Sequence, residues 1–297
     1  MDREMPLWRS MLFVPVNVDR FVTSAARRGA DACILDLEDS IPMAEKSDAR
    51  QRVRTAAETV GSAGADVVVR INRPWRLAIR DIEASVDSNI SALAVPKVTD
   101  ASHLRAIAET LSELEAERGL ELGHTRLIAM IETADAYFQV KDIAAANSRV
   151  IAMTLGQEDF ALSAGMLPEP EGLFQPCLQV VLAARAAGIL PLGFVGSIAE
   201  YRDQEKFRQT IRQAHRIGFA GAFCIHPLQA QVLNEEFSPT ADEVATAKGV
   251  IDAYENAKSK GRGSIEYQGK MLDEPIVERA RQILLRNQKI ENRDPQG

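Results

Sequence analysis

Residues 32–39 read Ala-Cys-Ile-Leu-Asp-Leu-Glu-Asp, a short apolar run that ends abruptly in acidic side chains. A continuous apolar run of this length is typical of a strand covered on both faces, as in a parallel sheet. The pattern recurs along the chain, with longer amphipathic stretches between the runs. Eight strands are predicted in all, at 12–16, 32–37, 66–71, 92–95, 126–131, 150–155, 190–195 and 221–225.

The stretches between these runs carry helical signals. Apolar residues recur at helical spacing over 45–60, 101–117 and 207–217, and Asp19 is a candidate cap for a helix at 21–28. Strands that alternate with helices predict a parallel sheet covered by helices, and eight such units are the number in a TIM (β/α)8 barrel. An open doubly wound sheet is the alternative. That fold usually has a glycine-rich turn after its first strand, whereas Pro-Val-Asn-Val follows here at 15–18.

The chain is longer than a minimal barrel of about 250 residues. We predict a barrel catalytic domain over residues 1–237 and a helical C-terminal extension over 238–297, with helices at 241–258 and 274–286 and a turn at 260–264. Segment 163–176 contains three prolines and two glycines. It is predicted to be a loop that borders the site, because long connections after barrel strands commonly carry function.

Composition narrows the class of protein. The 297 residues carry a net charge of −7 and give a pI near 5.3, which disfavours general nucleic-acid binding. No apolar stretch approaches the roughly 18 residues of a membrane span, and the N-terminus lacks the pattern of a signal peptide. The three cysteines are widely spaced, as expected for buried free thiols in a reducing compartment. These features predict a cytoplasmic protein with no membrane or nucleic-acid partner.

Ionisable residues follow almost every predicted strand. Because the carboxyl ends of barrel strands meet on one face, and active sites lie there, these side chains predict a functional rim. Exposed strand ends are often charged, which is the alternative explanation. The candidates are Asp36, Glu38 and Asp39 after strand 2, Arg70 after strand 3, Lys97 after strand 4, Glu132 after strand 5, Asp159 after strand 6 and His226 after strand 8.

Clustered carboxylates repel one another unless a cation neutralises them. No histidine–cysteine cluster suits zinc, whereas carboxylate oxygens suit Mg²⁺. Glu132 and Asp159, on adjacent strands, are candidate ligands for one ion; helix caps or salt bridges are the alternative roles.

Two basic residues of the rim have alternative roles of their own. Arg70 would face substrate oxygens or form a structural ion pair with Asp36 or Glu38. Lys97 would hold a phosphate or a rim carboxylate. His226 is expected to hydrogen-bond to a loop rather than to act as a base.

Several motifs resemble the citrate lyase β-subunit-like branch of the HpcH/HpaI aldolase family. They occur in the family's order and span nearly the whole chain: Arg-Ser-Met-Leu-Phe-Val-Pro at 9–15, Leu-Asp-Leu-Glu-Asp-Ser at 35–40, Val-Arg-Ile-Asn at 69–72, Val-Pro-Lys at 95–97, Ile-Glu-Thr at 131–133, Gly-Gln-Glu-Asp-Phe at 156–160 and Ile-His-Pro at 225–227.

The resemblance implies a Mg²⁺-dependent TIM barrel, assembled as a homotrimer or hexamer. Such enzymes make or break a carbon–carbon bond between an acyl-thioester enolate and a 2-oxo acid. It also implies residue roles: Glu132 and Asp159 as metal ligands, Arg70 on the substrate oxygens, Asp36, Glu38 and Asp39 in the polar floor, and Phe13, Arg20, Lys46 and Lys97 at the thioester-carrier entrance.

The sequence departs from the family at two positions. Val16 and Ala136 stand where the family usually has glycine, and their side chains are expected to narrow the oxo-acid or carrier pocket.

The tail motif Gln-Gly-Lys-Met-Leu-Asp-Glu-Pro at 268–275 resembles the extension of stand-alone malyl-CoA and citramalyl-CoA lyases. In those enzymes an aspartate of this motif reaches into a neighbouring subunit and serves as acid/base. The resemblance therefore makes Asp273 the candidate for that role here. Citrate lyase β subunits generally lack this extension, so the resemblance favours CoA as the thioester carrier. Asp273 is equally suited to cap the helix that follows it.

The predicted function is Mg²⁺-dependent cleavage or formation of a 3-hydroxyacyl-CoA, such as malyl-CoA or citramalyl-CoA, with acetyl-CoA and a 2-oxo acid as products. Thioester hydrolysis after condensation is a related outcome. Three alternatives stay open: a citrate lyase β subunit acting on a carrier-bound citryl thioester, a CoA-independent hydroxy-oxo-acid aldolase, and a non-catalytic CoA-binding barrel.

Overall fold

The computed structural model describes residues 5–198, 202–259, 265–267 and 270–293. The chain divides into two compact units, Met1–Phe237 and Ser238–Gly297. The turn predicted at 260–264 and the start of the tail motif, 268–269, lie outside the described residues.

The first unit contains eight strands. They are β1 (Ser10–Pro15), β2 (Ala32–Asp36), β3 (Asp66–Arg70), β4 (Ala92–Val95), β5 (Arg126–Ile131), β6 (Val150–Leu155), β7 (Leu190–Leu192) and β8 (Ala222–Cys224). The strands pair in parallel in the order β7-β6-β5-β4-β3-β2-β1-β8. The two end strands also meet, because Gly193 N–H donates to the Gly221 carbonyl at 2.8 Å and Ala220 N–H to the Pro191 carbonyl at 2.9 Å. The predicted barrel is therefore confirmed, and the open-sheet alternative is wrong.

Helices and one 3-10 turn, Met43–Glu45, connect the strands. The helices are α1 (Asp19–Ala25), α2 (Lys46–Gly61), α3 (Trp75–Ser85), α4 (Ala101–Arg118), α5 (Ala134–Tyr137), α6 (Val140–Ala144), α7 (Gln157–Ala164), α8 (Pro170–Ala186), α9 (Gln204–Ile217) and α10 (Pro227–Glu236).

Alternate strand residues face two different layers, as the period of two requires. Ile34 and Val68 pack inside the barrel, whereas Cys33 and Val67 pack in the layer between the strands and the helices. Both layers are almost fully buried, which explains why the strands are mainly apolar on both faces rather than alternating, with charged residues such as Asp66 and Arg70 at their ends.

Most of segment 163–176 is helical, so the prediction of a loop is confirmed only for 165–169 and is wrong at 163–164, the end of α7, and from Pro170 onward. Pro170 lies in the first turn of α8, where a backbone N–H has no helical partner and proline is tolerated. Pro176 lies inside the same helix and is buried. Burial of the apolar face of α8 outweighs the missing hydrogen bond.

The second unit consists of α11 (Ala241–Lys258), the antiparallel strands β9 (Ile265–Tyr267) and β10 (Lys270–Leu272), and α12 (Glu274–Arg293). Leu272 and Val277 pack with Val250 in its small core. The last helix is longer than the predicted 274–286. None of the helices in the described part of the chain is both long and apolar enough to cross a membrane.

Candidate active site

A cavity of about 1140 Å³ opens at the carboxyl ends of the barrel strands. It is the place where the rim was predicted, because the residues that follow β1, β2, β3, β5 and β6 all reach it. Eight of the residues predicted for the site line it: Phe13, Arg20, Asp36, Asp39, Arg70, Glu132, Asp159 and His226.

Arg70 is held on several sides. Parallel pairing of β2 and β3 places it beside Asp36, and two bonds of 2.7 Å join its Nε and Nη2 to the two Asp36 carboxylate oxygens. Its Nη1 lies 3.0 Å from Glu38 Oε2 and 3.3 Å from Asp39 Oδ2. The Phe13 ring lies 4.7 Å from the guanidinium carbon. The structural ion pair considered from sequence therefore exists, and the same guanidinium still lines the cavity.

This pairing controls the protonation of Asp36. Burial disfavours its charged form, but the hydrogen bonds and charge of Arg70 outweigh burial and lower the pKa of Asp36. Asp36 also accepts hydrogen bonds from the backbone N–H groups of Glu38 and Ser40, at 2.9 and 3.1 Å. An ionised Asp36 thus fixes both the guanidinium and the turn after β2.

Glu132 is an almost fully buried acid of the rim, with 4% of its surface exposed. Its Oε2 accepts a hydrogen bond of 2.5 Å from the backbone N–H of Lys97. Burial, together with the negative charge of Glu38, raises the pKa of Glu132 to about 8. A buried carboxylate that resists ionisation is a group that a bound cation would stabilise in its charged form.

Gly156 leaves room for the Glu132 side chain. A Cβ at position 156 would lie 2.4 Å from Glu132 Cγ and 2.6 Å from Oε1. The φ angle of Gly156 is −80°, which any residue can adopt. The glycine is therefore required by space and not by backbone conformation.

This close approach yields a prediction. Gly156→Ala is expected to push the Glu132 carboxylate from its position and to lower kcat/KM at least about tenfold. Gly61→Ala serves as the control, because Gly61 has no left-handed φ, lies at the end of α2 away from the cavity lining, and its Cβ would make only an ordinary contact of 3.4 Å with Val67. Steady-state kinetics of both variants provide the measurement. Equal activity of Gly156→Ala and wild type would show that the position of Glu132 does not matter.

Asp159 lies in the first turn of α7, and 41% of its side chain is exposed. Its Oδ1 is 3.9 Å from the Lys97 ammonium, which also lies 3.2 Å from Glu38 Oε1. Glu132 and Asp159 are thus both within reach of Lys97. The described residues contain no group of three acidic, histidine or cysteine side chains arranged to hold a metal ion. Two carboxylates facing a large cavity nonetheless suit Mg²⁺, which keeps several water or substrate oxygens as ligands.

The structure corrects the prediction for Lys46. Its ammonium is buried and donates to the carbonyl oxygens of Leu37 and Glu38 at 2.8 and 2.7 Å. Lys46 therefore holds the turn after β2 instead of lining the carrier entrance. Lys97, also predicted for that entrance, lies among the rim carboxylates.

The two residues in place of the family glycines do not narrow the cavity. Val16 and Ala136 are buried in the layer between strands and helices. Their side chains fill core space, and the expectation of a narrowed pocket is wrong.

Two predicted residues act as helix caps. The Nδ1 atom of His226 accepts a hydrogen bond from Leu228 N–H at 3.2 Å, at the start of α10. Asp273, in the second unit, accepts one from Ile276 N–H at 3.3 Å, at the start of α12.

Sequence reasoning missed the role of Gln157. Its side-chain amide donates to the Phe194 carbonyl and accepts from Gly196 N–H, so it fastens the loop after β7 to α7. Both segments line the cavity. The signal was present in the Gly-Gln-Glu-Asp-Phe motif, although only its aspartate was assigned a role.

Comparison with known proteins places these features in a family. Residues 9–227 match the family model described as HpcH/HpaI aldolase/citrate lyase. The citrate lyase subunit beta of Leuconostoc mesenteroides subsp. cremoris is 35% identical over 94% of this chain and 92% of its own length. A (3S)-malyl-CoA thioesterase of Cereibacter sphaeroides is 33% identical over 95% of each chain.

A solved structure has the same fold. The CitE protein of Mycobacterium tuberculosis, in complex with magnesium, acetoacetate and coenzyme A, superposes with a TM-score of 0.73 and 27% sequence identity. The match covers 94% of this chain and 97% of that one.

The length of the citrate lyase match corrects one expectation. Because it covers 94% of this chain, most of segment 238–297 lies within it. The C-terminal extension therefore does not separate stand-alone CoA lyases from citrate lyase β subunits. The barrel and the acid rim at its carboxyl end agree with these similarities. The chain therefore belongs to the HpcH/HpaI aldolase/citrate lyase family.

Proposed function

We propose that this protein is a Mg²⁺-dependent carbon–carbon lyase acting on the CoA thioester of a 3-hydroxy acid, such as malyl-CoA or citramalyl-CoA. The products are acetyl-CoA and a 2-oxo acid. The observation that carries the proposal is the arrangement of Arg70, Glu132 and Asp159 around one large cavity. The bound magnesium, acetoacetate and coenzyme A of the CitE protein, and the malyl-CoA named for a relative, support it.

Glu132 and Asp159 would hold the ion, and the residues present fit it. Both offer carboxylate oxygens to the cavity wall, and the rim carries five carboxylates, Asp36, Glu38, Asp39, Glu132 and Asp159, against the side-chain cations of Arg70 and Lys97. When bound, Mg²⁺ supplies Lewis-acid polarisation of substrate oxygens.

Arg70 supplies a fixed positive donor for the oxygen of the acetyl-CoA enolate that cleavage releases. Its bidentate bond to Asp36 holds the guanidinium in place before substrate binds. A preorganised donor stabilises developing charge without reorganisation during the reaction. Phe13 supports the guanidinium, and Arg20 lies on the cavity wall where the thioester carrier would enter.

Arg70→Lys tests this role. Lysine keeps the charge but cannot bond Asp36 through two parallel donors while facing the reactant. We expect kcat to fall at least about tenfold and KM for the thioester to change less than about threefold. Steady-state kinetics measure the changes in kcat and in KM separately. A change in KM alone would make Arg70 a binding group and contradict the enolate role.

Asp273 is proposed to donate a proton to the enolate carbon in a neighbouring subunit of a homotrimer or hexamer. Asp273→Asn and Arg70→Ala are each expected to be inactive, whereas a mixture of the two after subunit exchange should recover activity. Sedimentation measurements check the assembly of each variant. Inactive mixtures of well-assembled variants would contradict action across subunits.

The helix cap at Asp273 predicts a different result. Loss of the cap alone would lower the free energy of unfolding by about 1 kcal/mol and leave turnover near normal. Denaturation and turnover measured on one Asp273→Asn sample distinguish the two roles.

The citrate lyase relatives favour a second candidate, cleavage of a citryl thioester bound to a carrier protein. The test of the proposed function therefore offers malyl-CoA, methylmalyl-CoA and citramalyl-CoA with Mg²⁺ or with EDTA, and reads product masses. Mg²⁺-dependent turnover of one of them supports the proposal. No turnover of any CoA thioester, with turnover of a carrier-bound citryl group, would replace it with the second candidate.

A further inference from the structure

Lys97 has an unusual backbone conformation. Its φ angle is +48°, and no other non-glycine residue in the described part of the chain has a positive φ. The left-handed region is unfavourable for residues with a Cβ and is easily adopted by glycine. A lysine at this position indicates that its side chain has a use that outweighs the strain.

One residue reaches three acids of the rim. The backbone N–H of Lys97 bonds Glu132 Oε2 at 2.5 Å, and its ammonium lies 3.2 Å from Glu38 Oε1 and 3.9 Å from Asp159 Oδ1. Its carbonyl oxygen accepts a hydrogen bond of 3.1 Å from Arg73 Nε, which helps to hold the strained turn. The backbone N–H of Lys97 therefore binds Glu132, whereas its ammonium contacts Glu38 and Asp159.

Arg70 and Lys46 do not take the place of Lys97 at Asp159. Arg70 makes its two shortest bonds to Asp36 and shares Glu38 with Lys97, at 3.0 Å from Glu38 Oε2, and the Lys46 ammonium bonds backbone carbonyls. Within the described residues, the ion pair that Asp159 forms is with Lys97. At 3.9 Å, with 35% of the lysine and 41% of the aspartate side chain exposed, this pair is weak.

We infer that the Lys97 ammonium is an internal counter-cation, which holds Glu38 and Asp159 together in the metal-free protein and releases Asp159 when a divalent cation binds. The inference rests on the proposed function, since it takes Asp159 as a metal ligand. Two cations compete for one carboxylate and repel each other, so the ammonium lowers the affinity of the site while keeping it assembled. The backbone N–H keeps Glu132 in place in both states.

The test is calorimetric titration of Mg²⁺ into the metal-free protein near neutral pH. Lys97→Met is expected to bind Mg²⁺ at least about threefold more tightly than wild type, because the repulsion is removed. Lys97→Gly keeps the N–H, relaxes the strain and should also bind more tightly, whereas Lys97→Arg should bind as wild type. Arg28→Met, which removes another cation of the same cavity, is the control and should stay within about twofold.

Thermal unfolding provides a second measurement. In EDTA, Lys97→Met is expected to melt about 2 °C or more below wild type, and saturating Mg²⁺ should reduce the difference. Unchanged or weaker Mg²⁺ binding by Lys97→Met and Lys97→Gly would overturn the inference and leave the proposed function intact. If the wild-type protein binds no Mg²⁺, both the inference about Lys97 and the proposed function are overturned. The failure of the inference alone can therefore be told apart from the failure of the proposed function.

Discussion

Glu132→Gln is expected to lower Mg²⁺-dependent kcat/KM at least about 100-fold, and Asp159→Asn to do the same. Each change keeps the shape of the side chain and removes the charge with which it would bind the ion. In the Glu132→Gln variant the new side-chain amide still offers an oxygen to the Lys97 N–H, so the barrel should fold normally. Turnover and Mg²⁺ titration of each variant, with unfolding curves as a check on folding, provide the measurement.

Glu158→Gln is the matched control for this pair. Glu158 also lines the cavity, in the same turn as Asp159, and accepts a hydrogen bond from Ser197 at 2.8 Å. Its replacement is expected to change kcat/KM less than about threefold. Full activity in both Glu132→Gln and Asp159→Asn would rule out these two residues as the metal ligands.

Glu115→Ala is expected to lower the free energy of unfolding by about 3–5 kcal/mol. Glu115 is fully buried near the end of α4 and accepts two hydrogen bonds from Arg149, at 2.7 and 2.6 Å. It also accepts backbone N–H bonds of 2.7 Å from Gly123 and Thr125. Removing the carboxylate leaves two N–H groups without their acceptor and a buried guanidinium without its counter-charge, since its other acceptors, the Thr125 carbonyl and Ser112 Oγ, are neutral. This is the costly case for a buried ion pair.

Glu117→Ala, an exposed position on the same helix, is the control and should change stability by less than about 0.5 kcal/mol. Denaturant unfolding of both variants checks the difference. Because Glu115 and Arg149 lie at the amino ends of β5 and β6, away from the cavity, kcat of folded Glu115→Ala should stay near the wild-type value. Equal stability of Glu115→Ala and Glu117→Ala would contradict a stabilising role for the buried pair of Glu115 and Arg149.

The strands and the rim were predictable because each depends on local sequence. The middle of a buried parallel strand is apolar, and a charged residue directly after the apolar run marks its carboxyl end, as Glu132 does after Ile131 in β5. Closure of the barrel then follows from eight such units, and it brings Arg70 beside Asp36 through the pairing of β2 and β3.

Other features depend on contacts between distant residues. The start of α8 at Pro170 is decided by the burial of its apolar face, which local propensity does not reveal. The buried ammonium of Lys46 and the left-handed turn at Lys97 depend on where the carbonyls and carboxylates of other strands lie. The requirement for glycine at 156 is likewise set by Glu132, on the neighbouring strand.

The central claim is tested most directly by identifying which bond of malyl-CoA breaks first. Malyl-CoA is incubated with the protein and Mg²⁺, and the earliest products are identified by mass. Carbon–carbon cleavage predicts acetyl-CoA and glyoxylate in equal amounts, before free CoA appears. Malate and free CoA as the first products would mean that the thioester bond breaks instead, and would contradict the assignment of this protein as a carbon–carbon lyase.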